Sequence, residues 1–399
     1  MSHQAVSELD TDVTVVGLGA VGSAACYWLA RAGADVVGID QFELGHHNGA
    51  SHDHSRIIRR SYHTPGYVEL TRHAYDAWYD VERDLAEHGA PAELVVRTGG
   101  LDLWPADAAI PMSDYVDSLT AQQVPFDRLD RDDVVGSWPQ WDLPEGTVAI
   151  HQADTGIVAA ARATAALQQG AVRHGARLLD HIAVGGLRPD GDGYVVDTAV
   201  GAIHTRRVVL ACDAWTNELL ADLGTNLPLV VTQEQLTYTR PDDPARFAPD
   251  RFPVWIWMDE PSWYGFPEFG ETGWVKAAQD CGGAETTARN RSFEPDPQAE
   301  ARLLAFLDAR LPGMHTDTAR STTCLYTLTP DRDFVLDTVH GHPGVAVALG
   351  AGHGFKFASL FGKILRDLAL GIVPPFDLEP FRIDRPALTV PDAPRHWLV

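Results

Sequence analysis

Short apolar runs closed by glycine alternate with helical repeats over the first 90 residues. Val13-Thr-Val-Val-Gly reads as a buried strand, residues 23–32 as a helix of small side chains, and residues 34–40 as a second strand. Between Tyr67 and His88 apolar positions recur at Tyr67, Leu70, Ala74, Trp78, Val81 and Leu85, the spacing of one helix face. The pattern then breaks into prolines, tryptophans and strand-like pieces such as Gly100-Leu-Asp-Leu-Trp. An alanine-rich helix over 157–172 and strands at 176–179 and 181–184 return to the first character. Asp190-Gly-Asp-Gly marks a hairpin, and Arg207-Val-Val-Leu-Ala-Cys a further buried strand. Residues 220–320 are again strand-rich and aromatic, with Val254-Trp-Ile-Trp-Met and Trp263-Tyr-Gly-Phe-Pro, and end in a helix over 297–311 that opens on proline. A strand at 344–349, a glycine turn and an amphipathic helix over 356–370 follow. No internal repeat is visible. The pattern predicts an α/β protein in which segments 1–90, 151–219 and 321–399 build a Rossmann-like nucleotide domain. Segments 91–150 and 220–320 form an inserted, predominantly antiparallel-sheet domain for the substrate.

Composition narrows the partners. With 31 Lys and Arg against 55 Asp and Glu, the net charge of −24 repels phosphate backbones and anionic lipid, so neither nucleic acid nor membrane is expected as a partner. Only three of the cations are lysines: Lys276, Lys356 and Lys363. Four scattered cysteines, Cys26, Cys212, Cys281 and Cys324, form no CxxC pair and point to a reducing compartment, hence a cytoplasmic protein. The uncharged stretch from Val13 to Ala30 approaches membrane-helix length, but it follows Glu8, Asp10 and Asp12 and is broken by glycines, so strand, turn and helix are the better reading. The carboxyl-terminal His-Trp-Leu-Val carries no retention or peroxisomal address.

Gly17-Leu-Gly-Ala-Val-Gly22 lies between the first strand and the first helix, and Asp40 closes the next strand 18 residues after Gly22. Such glycines allow a tight turn, close approach of backbone to a pyrophosphate and close helix-strand packing. The helix N-terminus favours the diphosphate charge, and the acid accepts ribose hydroxyls. Gly17, Gly19, Gly22 and Asp40 are therefore candidate dinucleotide contacts. No arginine directly follows Asp40, which disfavours an adenosine 2′-phosphate. The N-terminal position of the motif, a second glycine turn at Gly350-Ala-Gly-His-Gly354 and the split nucleotide domain favour FAD over NAD.

Five further stretches run through nearly the whole chain in one order: Asn48-Gly-Ala-Ser-His-Asp-His-Ser-Arg-Ile-Ile-Arg59, Tyr264-Gly-Phe-Pro, Cys324-Leu-Tyr-Thr-Leu-Thr-Pro-Asp, Gly352-His-Gly-Phe-Lys-Phe-Ala-Ser359 and Arg385-Pro-Ala-Leu. Together they resemble the monomeric sarcosine oxidase and N-methyltryptophan oxidase family of D-amino-acid-oxidase-like flavoenzymes. The resemblance implies FAD bound covalently through Cys324, with Cys281 as the rival thiol. It places Arg59 and Lys356 on the substrate carboxylate, Lys276 as the cation that activates oxygen, and Arg56 beside the flavin ring. His52, Tyr264 and Tyr326 would border the reacting centre, and Ser55, Gly352, His353, Gly354, Phe355 and Lys356 would contact the cofactor. A monomer acting on a small-molecule amine with O2 is implied as well.

The histidines His46, His47, His52 and His54 could be read as a metal site, but no acid or cysteine set accompanies them and no metal is expected. Two departures bear on the substrate. Asp280 stands where the family has a histidine, which would favour a substrate with an extra amine; Asp213 replaces a glycine before Ala214-Trp215. The expected reaction is FAD-dependent oxidation of the C–N bond of a secondary amine, an N-methyl or cyclic amino acid, giving imine and H2O2. A tailoring oxidase of a larger secondary-metabolite amine and a flavin-binding protein without turnover are the alternatives.

Overall fold

A computed structural model describes residues 9–315 and 318–390. Glu8 and the carboxyl-terminal His-Trp-Leu-Val lie outside the described residues. Five parallel strands form the centre of an eight-stranded sheet, in spatial order His342–Leu349, Gly201–Leu210, Leu9–Val16, Val36–Ile39 and Arg177–Leu179. Val335–Val339 pairs antiparallel with the first of these, and the hairpin Val184–Asp190 with Gly193–Thr198 pairs with the front half of Gly201–Leu210. These strands read as runs of valine and isoleucine because layers cover both faces. Helix Ala20–Arg31 packs against Ala160–Arg173 and Ala358–Ala369, and its small residues leave almost its whole surface buried. The uncharged stretch is thus the end of strand Leu9–Val16, the glycine turn and almost all of that helix. Among the described residues no helix is long and apolar enough to cross a membrane.

A nine-stranded sheet makes the second layer. Its order is Ala284–Thr286, Val230–Thr239, Val275–Gln279, Trp263–Phe266, Val254–Trp257, Gly100–Trp104, Val148–Gln152 and Asp127–Asp130, with Ala319–Leu328 on the free side of Val230–Thr239. All its pairings are antiparallel except Val254–Trp257 with Gly100–Trp104. Side chains alternate across it. Trp255, Trp257 and Trp263 turn to Phe306 of helix Pro297–Arg310, with ring centroids 5.3–5.9 Å apart, while Ile256, Tyr264 and Phe266 turn the other way. The change of layer expected at 320/321 falls inside strand Ala319–Leu328, which carries Cys324 and Tyr326 in the second sheet.

A small third sheet joins Ser55–Ile58, Gly156–Ala159 and Val95–Arg97. Helix Pro65–Glu87 buries Tyr67, Leu70, Ala74, Trp78, Val81 and Leu85 as their spacing predicts. Trp78 also donates its indole N–H to the Lys356 carbonyl at 2.9 Å, tying that core to a loop of the site.

Three expected elements are corrected. Ile157 belongs to strand Gly156–Ala159, so the alanine-rich helix starts at Ala160. His181, at φ +55°, turns the chain rather than opening a strand, and the next strand begins at Val184. Lys356 lies in a 3-10 turn, Gly354–Phe357, and the last helix begins after it at Ala358.

Candidate functional site

A cavity of about 570 Å³ opens where the carboxyl ends of the parallel strands face the second sheet. Val16, Ile39, Ala211 and Leu349 come from the strand ends, the position where open α/β sheets bind ligands. At this end Gly17, Gly19 and Asp40 line the wall. Gly17 takes φ +91°, and a Cβ on it would stand 2.4 Å from the Ala211 carbonyl oxygen; one on Gly22 would stand 1.7 Å from the Gly17 carbonyl oxygen. Neither position admits a side chain. Asp40 accepts the Leu18 N–H at 2.7 Å and the Phe42 N–H at 2.9 Å. Burial would raise its carboxyl, but these donors and His46 bring it below the ordinary value. Each oxygen keeps lone pairs for a ligand hydroxyl.

At the other end the wall is cationic. Strand pairing sets Ile256 opposite Tyr264 and Phe266 opposite Lys276, so these side chains share the cavity face. Lys276 is buried; its Nζ donates to Asp53 Oδ2 and to the Ser55 carbonyl, both at 2.7 Å, and stands 4.2 Å from the Phe266 ring centre. Arg56 donates to the carbonyls of Ala50 and His52 at 2.8 Å and of Ser55 at 2.9 Å, so it shapes the loop as well as lining the cavity. Arg59 lies 3.7 Å from Asp102 and over the Tyr62 ring. Lys356 donates to the His353 carbonyl at 2.9 Å.

Protonation follows from burial. It brings Lys276 down to about 8, opposed by Asp53. Lys356 is held well below its ordinary value by burial and then by Arg59. His52 is pushed down to about 3 by burial and by Arg56, so it is neutral. Tyr264 and Tyr326 are raised by burial and keep their protons.

Two polar atoms in the wall are buried without a hydrogen-bond partner among the described residues, His52 Nε2 and Thr164 Oγ1. Buried polar atoms are rarely left unpaired, and a set of them in one cavity marks a ligand site. A family model described as FAD dependent oxidoreductase (DAO) matches residues 12–368. The chain belongs to this family.

Relatives of the FAD-dependent oxidoreductase include monomeric sarcosine oxidase of Bacillus sp. (strain B-0618), 31% identical across 94% of this chain and 96% of that protein. N-methyl-L-tryptophan oxidase of Salmonella heidelberg (strain SL476) is 30% identical across 94% and 98%. Among solved structures, NikD, described as an unusual amino acid oxidase essential for nikkomycin biosynthesis, superposes with a TM-score of 0.84 at 27% identity, covering 94% of this chain and 97% of that one. The residues fit FAD: the cradle closed to side chains at Gly17 and Gly22 would take the diphosphate, Asp40 a ribose, and the orphaned wall atoms its remaining polar groups.

The expected site residues do not all reach the cavity in the same way. Gly17, Gly19, Asp40, His52, Arg56, Arg59, Tyr264, Lys276, Asp280, Tyr326, Gly352, His353, Gly354, Phe355 and Lys356 line it. Gly22 packs beneath the first glycine, and Ser55 contributes its carbonyl to Lys276 and Arg56. Cys324 is buried on the face of its strand that carries Tyr326; burial pushes its thiol up to about 12, with Arg56 pulling down. The histidines disperse: His46 lies 3.5 Å from Asp40, His54 3.5 Å from Glu271, and His47 packs on His52. Asp280 meets Arg332 at 2.9 Å, and this pair leaves no net charge there for an extra substrate amine. Lys363 pairs with Asp80 at 2.5 Å and lies over Trp28, a role in helix packing.

Sequence reasoning missed Arg332, Asp102 and Asp53, whose partners are remote in the chain. A local signal does exist for Asp213. The glycine expected there reflects backbone need, since the residue takes φ +45°, which aspartate tolerates better than most residues. Burial raises its carboxyl from 3.8 to about 6. The folded chain therefore holds that proton more tightly than the unfolded chain. The contribution to stability is complete below about pH 3.8 and is lost as pH rises through about 6. Asp213→Asn is expected to stabilise the protein by roughly 1–3 kcal/mol near neutral pH and by much less near pH 4. Urea unfolding at the two pH values checks this.

Proposed function

We propose that the chain oxidises the C–N bond of a small secondary amine that carries a carboxylate, an N-methyl or cyclic amino acid. FAD is held covalently through Cys324, O2 is the acceptor, and imine and H2O2 are the products. One observation carries the reading. Around the cationic end each of Lys276, Arg59 and Arg332 is ion-paired with an acid, respectively Asp53, Asp102 and Asp280, whereas Lys356 has no ion pair among the described residues: it donates to the His353 carbonyl, lies over the Tyr62 ring and feels Asp280 only at a distance. A buried amine flanked by Arg59 and without an ion-paired acid is a place built for an incoming carboxylate.

When bound, FAD supplies the two-electron chemistry. The chain does the rest: Arg59 and Lys356 fix the carboxylate, the protonated Tyr264 and Tyr326 donate hydrogen bonds beside the amine, and the apolar wall of Ile256, Met258 and Phe266 excludes water. Neutral His52, at about 3, and the protonated tyrosines are poor proton acceptors, which suits an amine that reacts in its free-base form. The names of the first two relatives agree with an N-methyl amino acid, and the first agrees with a monomer. The likeness to NikD favours a second reading, a tailoring oxidase of a larger metabolite amine. A panel of N-methyl, cyclic and bulky amines with peroxide readout separates the two.

Acid precipitation tests the cofactor attachment. The pellet is expected to be yellow for the native chain and colourless for Cys324→Ser. A colourless native pellet would remove the covalent assignment; yellow retained in Cys324→Ser would move it to Cys281.

A further inference from the structure

Asp53 is an unusual residue to find beside the cavity. Its backbone takes φ +85°, a conformation that non-glycine residues adopt at a cost of about 1–3 kcal/mol and that is retained mainly where function requires it. Its carboxylate accepts from Lys276 Nζ at 2.7 Å and from the Tyr238 hydroxyl, and lies 3.5 Å from Arg56. Tyr238 reaches it from the strand paired with that of Lys276, directly opposite in register. Two hydrogen-bond donors and a flanking guanidinium, from three elements, thus converge on one buried acid. Burial would raise that acid, but Lys276 and Arg56 hold it far below the ordinary carboxylate range, so it is an anion at every working pH.

The groups facing Lys276 are few. Among the described residues the loop supplies Asp53, strand Ser55–Ile58 supplies Arg56 and the Ser55 carbonyl, strand Trp263–Phe266 supplies the Phe266 ring, and strand Ala319–Leu328 supplies Cys324, whose sulfur is uncharged both as the buried thiol and in the proposed flavin thioether. Asp53 is the only anion among them. An ammonium has three N–H bonds; Asp53 and Ser55 take two, and the third is left for the cavity that Lys276 lines.

We propose that Asp53 is a positioning residue that keeps Lys276 charged and fixes its free N–H bond toward the cavity, a role no other side chain in contact with Lys276 can take. This rests on the reading of Lys276 as the oxygen-activating cation. Without the carboxylate, a buried lysine beside Arg56 would give up its proton near neutral pH.

Three lysines make the test direct. In holoenzyme labelled with 13Cε-lysine, Lys276→Met assigns the Lys276 resonance by its disappearance, and a pH titration reads its proton. Asp53→Asn is expected to move that titration down by about 1–3 pH units, and Asp53→Glu to restore most of it. Asp53→Gly removes the same carboxylate while suiting the backbone at φ +85°, so it serves if the asparagine variant folds poorly. An unmoved Lys276 titration in Asp53→Asn or Asp53→Gly would overturn the proposal. The pH profile of O2 reaction in the same variants is expected to follow the resonance. A resonance that moves while the O2 profile stays put supports the hold of Asp53 on Lys276 and rejects the oxygen role of Lys276 instead.

Discussion

Replacing Lys276 with methionine is expected to slow the reaction of the reduced protein with O2 by about 100- to 1,000-fold, the range seen when one preorganised charge is removed from a dry site. Methionine keeps the length of the side chain against Phe266, so cofactor binding and reduction by substrate are expected to change by less than about tenfold. Stopped-flow mixing of the reduced protein with O2 measures the first quantity, and anaerobic mixing with substrate the second. The pH profile adds a control. Lys276 is brought down to about 8 by burial, so the native O2 reaction should fall as pH rises through that value, whereas the methionine variant should be flat there. Equal O2 rates in the two proteins would leave an oxidoreductase that hands its electrons to some other acceptor.

The second large effect is expected at Arg59. Removing one partner of a buried, hydrogen-bonded charge pair costs about 2–5 kcal/mol of binding, so Arg59→Gln should lower kcat/KM for a carboxylate-bearing amine by roughly 100-fold or more, mainly through KM. The same substitution strands Asp102, which then keeps, among the described residues, only the Ser61 hydroxyl as donor. A stability loss of about 3–5 kcal/mol is expected. Burial already raises the Asp102 carboxyl with Arg59 present, so the loss should grow with pH as ionisation becomes more costly. The double variant Arg59→Gln with Asp102→Asn separates the two functions of the arginine: it should recover the stability and not the catalytic efficiency. Recovery of both would place the substrate carboxylate elsewhere.

What could be read from residue order and what could not divide along one physical line. The glycine cradle is legible because a tight turn, a strand before it and a helix after it all lie within about twenty neighbouring residues, and each demands its own residue types. The helix Pro65–Glu87 is legible for the same reason, its period being set by its own burial. The electrostatic wiring is not. Lys276 and Asp53 are 223 residues apart, and Arg332 and Asp280 are 52 apart; nothing in either neighbourhood names the partner. A local rule also misled at Lys356. The amphipathic pattern runs through it, yet the chain makes a 3-10 turn there before the helix starts, and that turn, held by Trp78, puts the amine in the wall. Asp213 shows how a departure from expectation can preserve a conformation while changing the chemistry.

The first strand, Leu9–Val16, has its two neighbours at Val36–Ile39 and Gly201–Leu210, and the helix that follows it packs on Ala358–Ala369. The helix behind the diphosphate cradle is therefore held by contacts of very long range, such as the Trp28 indole with the Ser359 hydroxyl, 331 residues apart. Contacts of such long range close slowly. Docking of Ala358–Ala369 against Ala20–Arg31 is therefore expected to be among the slower steps that complete the cradle.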